Sequence, residues 1–249
     1  MSRILLLNPN TTQAITQRLY DVAREVIAPG TTLIPLTAPR GVSYIATRTE
    51  AQIAGAIALE MLAEHHRTAD AAIMAAFGDP GLLAARELFD IPVIGMAEAA
   101  MLAACMLGRS FAIVTFATAL GPWYRECVEL HGMSGRCAGI RMLDGAFRSI
   151  SDVQEDKEAL LVELANRAVS ELDADVVIFG GAPLAGLAKK VKDRISVPVV
   201  DQVQAAVKLT ESILALGTRK TTTGTFRRPT AKDAIGLPAA LAARIRHTD

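Results

Sequence analysis

Apolar residues in this chain fall into short continuous runs that alternate with longer stretches repeating at helical spacing. The runs at residues 4–7, 32–36, 71–75, 93–95, 111–115, 139–143, 176–179 and 197–200 read as strands. Between them, residues 12–27 set Ile15, Leu19, Val22 and Val26 on one face of a helix. Asn10 followed by Gln13 predicts an N-cap with its capping-box partner. Strands joined by helices need right-handed crossovers, and these build a mainly parallel sheet.

The pattern also repeats. Residues 69–82 read ADAAIMAAFGDPGL and residues 174–187 read ADVVIFGGAPLAGL, so that Ile73 and Ile178 match at an offset of 105 (178 − 73 = 105). Each copy is an apolar run, a Gly/Pro turn and a resumed helical pattern, followed later by a second run carrying Pro-Val. LLLNPNTT at 5–12 and AIVTFATA at 112–119 align in the same order at an offset of 107. The expected fold is α/β, with two pseudo-twofold-related, doubly wound lobes, mainly parallel sheets and a cleft between them. We place the lobes at residues 1–97 and 98–207. Residues 208–249 then form a return helix and a tail packing on the N-terminal lobe, with LPAALAARI as a short closing helix.

Composition narrows the partners. Lys plus Arg and Asp plus Glu both total 26, giving a formal net charge of +0, so no basic excess points to nucleic acid. The apolar start is too short for a signal peptide, and the longest apolar stretch, 91–108, holds Pro92 and Glu98, which opposes a membrane span. Three cysteines without metal-like spacing suit a reducing compartment. The expectation is a cytoplasmic homo-oligomer with a small-molecule substrate, no cofactor and no metal.

In open parallel sheets, ligands bind beyond the carboxyl ends of the strands. Four such ends are NPNTT, AFGDPG, TFAT and GGAPLAG, each preceding a helix whose free N–H groups favour an anion or a polarised carbonyl. The candidate substrate-binding residues are Asn8, Thr11, Ala76, Phe77, Gly78, Thr115, Thr118, Tyr124, Gly180, Gly181 and Ala182. Gly78, Gly81, Gly180 and Gly181 let the backbone approach a ligand closely. Asp79 and Glu98 are the candidate catalytic carboxylates. Each has a competing structural role: Asp79 as N-cap of a helix starting at Pro80, and Glu98 as a first-turn complement to the helix dipole. His65 and His66 read as exposed at a helix end, His131 as a helix C-terminus, and Cys105, Cys127 and Cys137 as structural thiols.

LLLNPNTT, AFGDPGLLAARE at 76–87, PVIGMAEAA at 92–100 and GGAPLAG at 180–186 together resemble the aspartate/glutamate/hydantoin racemase superfamily, closest to its hydantoin and allantoin racemase branch. The resemblance covers about the first 210 residues. It implies a two-lobed α/β protein acting on the acidic carbon of hydantoins, amino acids or malonates. Racemases of the family oppose two cysteines across the substrate, and their motif places these at Ala76 and Gly181 of this chain. Neither can take or give a proton, which racemisation requires on both faces of the carbon. Superfamily decarboxylases keep the second cysteine, so their chemistry is disfavoured as well.

Three readings follow. The first is an enzyme that directs water at a ring carbonyl or thiocarbonyl of a hydantoin-like or thiohydantoin-like ureide or a related carboxylate, with Asp79 or Glu98 activating the water. The second is a racemase or isomerase with substitute bases. The third is a non-catalytic binding protein, whose cleft would offer neutral contacts only.

Overall fold

The computed structural model describes residues 1–144 and 149–249. Along the chain, β1 (Ser2–Asn8), α1 (Gln13–Arg24), β2 (Thr31–Thr37), α2 (Arg48–His65), β3 (Ala71–Met74), α3 (Leu82–Leu88) and β4 (Val93–Gly95) make the first lobe. Next, α4 (Met96–Leu107) leads into β5 (Phe111–Thr115), α5 (Gly121–Leu130), β6 (Cys137–Met142), α6 (Val153–Leu172), β7 (Val176–Phe179), α7 (Leu187–Val191) and β8 (Val199–Val200). Then come α8 (Gln202–Ala215) and α9 (Ala239–Arg246).

All pairings are parallel, in two four-stranded sheets of order β2-β1-β3-β4 and β6-β5-β7-β8. The second order is the first shifted by one repeat. Register repeats too: Leu5 stands opposite Ala72, and Ala112 opposite Val177. The offsets of 107 and 105 are therefore one structural correspondence. Buried β1, β3, β5 and β7 carry apolar residues on both faces, as strands covered by helices on two sides require. A small device recurs at their starts. Asp70 Oδ2 accepts from Arg3 N at 2.7 Å, and Asp175 Oδ2 accepts from Arg109 N at 2.8 Å.

The two lobes exchange helices. α4, which leaves the first sheet, packs on α8 and on β7, whereas α8 leaves the second sheet and packs on α1, β3 and β4. This fixes the sheets against each other with the carboxyl ends of β3 and β7 both facing one cleft.

Local details depart from the expectations at three points. α1 ends at Arg24, and its N-cap is Thr12 rather than Asn10. Asn10 instead turns its Oδ1 back to accept from Thr12 N at 2.9 Å and from Asn8 Nδ2 at 3.1 Å. His66 is buried, beside the Phe89 ring and 3.5 Å from Asp249, because the tail covers it.

Arg244 of α9 anchors that tail. It donates to Leu88 O at 3.0 Å and pairs with Asp90 at 2.6 Å and Asp249 at 3.0 Å, its own side chain 4% exposed. Replacing it by Met should leave Leu88 O without its donor and take one partner each from Asp90, which is half exposed, and Asp249, which keeps Arg228, costing about 1–2 kcal/mol. Hydrogen exchange across Ala239–Arg246 should then rise to that of an unprotected segment.

Candidate active-site cleft

Ala76, just past β3, and Gly181, just past β7, line the same cleft. Ile15, Ile45, Ile150 and Pro183 supply its aliphatic wall, and Tyr44, Phe77, Phe116, Trp123 and Tyr124 an aromatic one. Among the described residues, no ionised side chain lines it. Polar contact comes from Asn10 and the tyrosine hydroxyls. Asn10 Oδ1 must face the Thr12 N–H, so its amide NH₂ is the end left for the cleft. The cleft is narrow, with a free volume of about 30 Å³.

Position 181 is closed to side chains. Its φ of 121° lies where glycine is at home, and Gln202 clamps its peptide, Oε1 accepting from Gly181 N at 3.1 Å and Nε2 donating to Gly181 O. A Cβ built there would lie 2.8 Å from Phe116 Cε1 and 3.4 Å from Tyr124 Oη. Phe77 reaches across from the first lobe and packs on the Tyr124 ring, with centroids 4.8 Å apart.

Behind the aromatic wall runs a chain of buried charges. Asp79 has a φ of 50°, and its carboxylate accepts from Ala97 N at 2.9 Å and Glu98 N at 2.8 Å, the exposed N–H groups at the start of α4. Its Oδ2 also meets His131 Nε2 at 3.1 Å, while His131 Nδ1 lies 3.6 Å from Glu98 Oε1. Glu98 is gripped in turn by the fork of Arg86, one arm at 2.9 Å. Burial alone would lower the His131 pKa, but hydrogen bonds to Asp79, Cys127 and Glu98 push it up to about 11. Burial likewise works against the Glu98 anion, yet His131 and Arg86 bring its pKa down to about 2. Cys127, one helical turn before His131, is pushed up to about 11 by burial. Asp79, Cys127 and His131 present ligand atoms within 4.8 Å of one another, a grouping capable of holding a metal.

The Asp/Glu/Hydantoin racemase family model matches residues 4–210. The chain belongs to this family. It is 33% identical over 232 residues to a hydantoin racemase of Paenarthrobacter aurescens, covering 92% of this chain and 98% of that protein. The allantoin racemase structure from Klebsiella pneumoniae superposes with a TM-score of 0.91 at 35% identity, covering 97% of this chain and 99% of that one. The allantoin racemase of Pseudomonas fluorescens gives 0.88 at 33% identity, over 94% and 100%. The fold is thus a racemase fold with two parallel four-stranded sheets.

Within that fold, the structure brings Ala76, Phe77, Tyr124, Gly181 and Ala182 to the cleft as the sequence predicts. The other predicted residues lie elsewhere. Asn8 is buried behind the cleft, its Nδ2 donating to Asn10 and to Thr16 Oγ1 at 2.9 Å. Thr11 spends its N–H and hydroxyl on Val42 O, at 3.0 and 3.3 Å, holding the loop that carries Tyr44 and Ile45. Thr115 is buried beneath Tyr124, and Thr118 is exposed. Gly78 faces a neighbouring groove on the far side of Trp123, and Gly180 is a contact point for Phe77. Asp79 and Glu98 are absent from the lining, because their oxygens are already engaged behind it. Asp79 does not cap the helix starting at Pro80, since α3 is entered through Gly81; it caps α4. Sequence reading missed Asn10, Tyr44, Phe116, Trp123 and Ile150 in the cleft and His131 behind it. The helical i, i+4 spacing of Cys127 and His131 is visible in sequence, but their carboxylate partners come from distant turns.

His131→Gln should cost about 3 kcal/mol, because it removes the buried cation between two carboxylates, leaving Glu98 to Arg86 and Asp79 to the α4 N–H groups. The pH dependence has a defined sign. The folded pKa, about 11, lies above the ordinary 6.5, so the stabilisation is complete below pH 6.5 and declines as pH rises toward 11. Denaturant melts of both proteins should show their stability gap shrinking across that window; a gap independent of pH would mean that His131 is neutral in the native state.

Proposed function

We propose that this chain is an enzyme of the racemase superfamily that binds a hydantoin-like or thiohydantoin-like cyclic ureide, or a related carboxylate, between Ala76 and Gly181, and that it does not perform two-thiol racemisation. The observation that carries the reading is the pair itself. The two positions face one cleft from the ends of equivalent strands, and neither has a proton to exchange. Identity of 33% to 35% with proteins named hydantoin and allantoin racemases supports the substrate class.

The reaction that fits the remaining groups is attack of water on a ring carbonyl or thiocarbonyl. The water oxygen bonds to that carbon; a ring nitrogen then leaves with the proton, or sulfur leaves as hydrogen sulfide and a carbonyl replaces it. Asp79 and Glu98 support this indirectly, by fixing the wall, since Glu98 is too weakly basic and Asp79 too fully hydrogen-bonded to activate water from where they stand. The neutral lining also favours a second reading, a protein that keeps the binding cleft and performs no chemistry.

Incubation with 5-substituted hydantoins, 2-thiohydantoins and allantoin in D₂O distinguishes these readings. Ring opening or sulfide release, without protein-dependent exchange of the proton on the acidic ring carbon, is the expected result. Fast exchange with inversion would restore the racemase reading. A raised melting temperature without turnover would identify a binder.

A further inference from the structure

We propose that Tyr124 takes over the face of the substrate served by the second thiol in the family's racemases, as a hydrogen-bond donor to charge developing on the ring oxygen or sulfur. Its hydroxyl oxygen lies 3.4 Å from where a Cβ on Gly181 would stand. The vacated position is thus filled by a proton-carrying group that enters from α5, with Phe116 sealing the rest. The proposal rests on the cyclic-ureide reading above and adds the group that does the chemistry.

Two observations make Tyr124 a placed donor and not a base. It is 2% exposed, and burial holds its ionisation well above the ordinary phenol range, with Cys127 and Asp79 behind it adding to the effect. Thr115, whose buried hydroxyl has no hydrogen-bond partner among the described residues, acts in the opposite direction without reversing the shift. The phenol therefore keeps its proton, which a ligand in the cleft can accept. The ring itself is fixed between Phe77 and Trp123, with centroids at 4.8 and 5.5 Å, so the donor is aimed before the substrate arrives. A preorganised donor in a dry cleft stabilises an oxyanion or thiolate far more than the neutral ring from which it forms.

The probe is 2-thiohydantoin, whose own N–H ionises to an anion with charge on oxygen and sulfur. Its affinity is measured by quenching of Trp123, the single tryptophan of the chain, at pH values below and above the probe's ionisation. The wild-type protein should bind the anion at least tenfold more tightly than the neutral ring, as expected for a hydrogen bond to a charged group. Tyr124→Phe, whose native fold is checked by its circular dichroism and melting temperature, should lose most of that preference. Any turnover found for the ureides should fall about a hundredfold in kcat with little change in KM. Equal anion preference in wild type and Tyr124→Phe would overturn the proposal while leaving the ureide reading intact. No binding of either form would remove the ureide reading, and this proposal with it.

Discussion

The carboxylate of Asp79 ties three elements together at the edge of the cleft: the turn after β3, the start of α4 and the end of α5. One oxygen accepts from Ala97, and the other accepts from Glu98 and meets His131. Because α5 also carries Trp123 and Tyr124, this one anion sets the distance between the first lobe and the aromatic wall. Desolvating it is affordable only because N–H dipoles and the His131 ring surround it on every free side.

The duplicated lobes solve the same capping problem in different ways. In the second lobe Asp201 is the N-cap of α8, accepting from Val203 N and Gln204 N at 2.9 and 3.1 Å and from Gly186 N at 2.7 Å. In the first lobe the N-cap of α4 is Gly95, and a Cβ there would collide with the Asp79 carboxylate. The acid has moved from the cap residue to the preceding turn, where Leu184 stands in the second copy. A carboxylate without a counterpart in the repeat therefore reads as a catalytic candidate in sequence, and in the fold it is also the cap of α4.

The two turns that face each other across the cleft do not rely on the side chains at 76 and 181 for their shape. Ala76 and Gly181 lie at turns held by other groups, the latter by both ends of the Gln202 amide. Phe116 and Tyr124 crowd the place where a side chain at 181 would stand. Dense packing of this kind means that restoring a thiol there would first require Phe116 to move.

The hydrophobic pattern by itself determined the strands, the parallel topology and the pairing of 76 with 181. Strand burial and crossover handedness are local consequences of which residues are apolar and how far apart they fall. The sequence also supplied the family resemblance and the absence of a thiol at 76 and at 181. What it could not decide was the occupation of the polar groups. Whether Asp79 meets water or the α4 N-terminus depends on the orientation of a helix starting 17 residues later, and Thr11 and Thr115 face loops and rings rather than ligand for the same reason. His131 is unremarkable in its own helix and becomes a buried charge only when two carboxylates from the other side of the cleft close on it. Hydrogen bonds are short-ranged and directional, so their partners belong to the tertiary arrangement, whereas burial is carried by the periodicity of the chain itself.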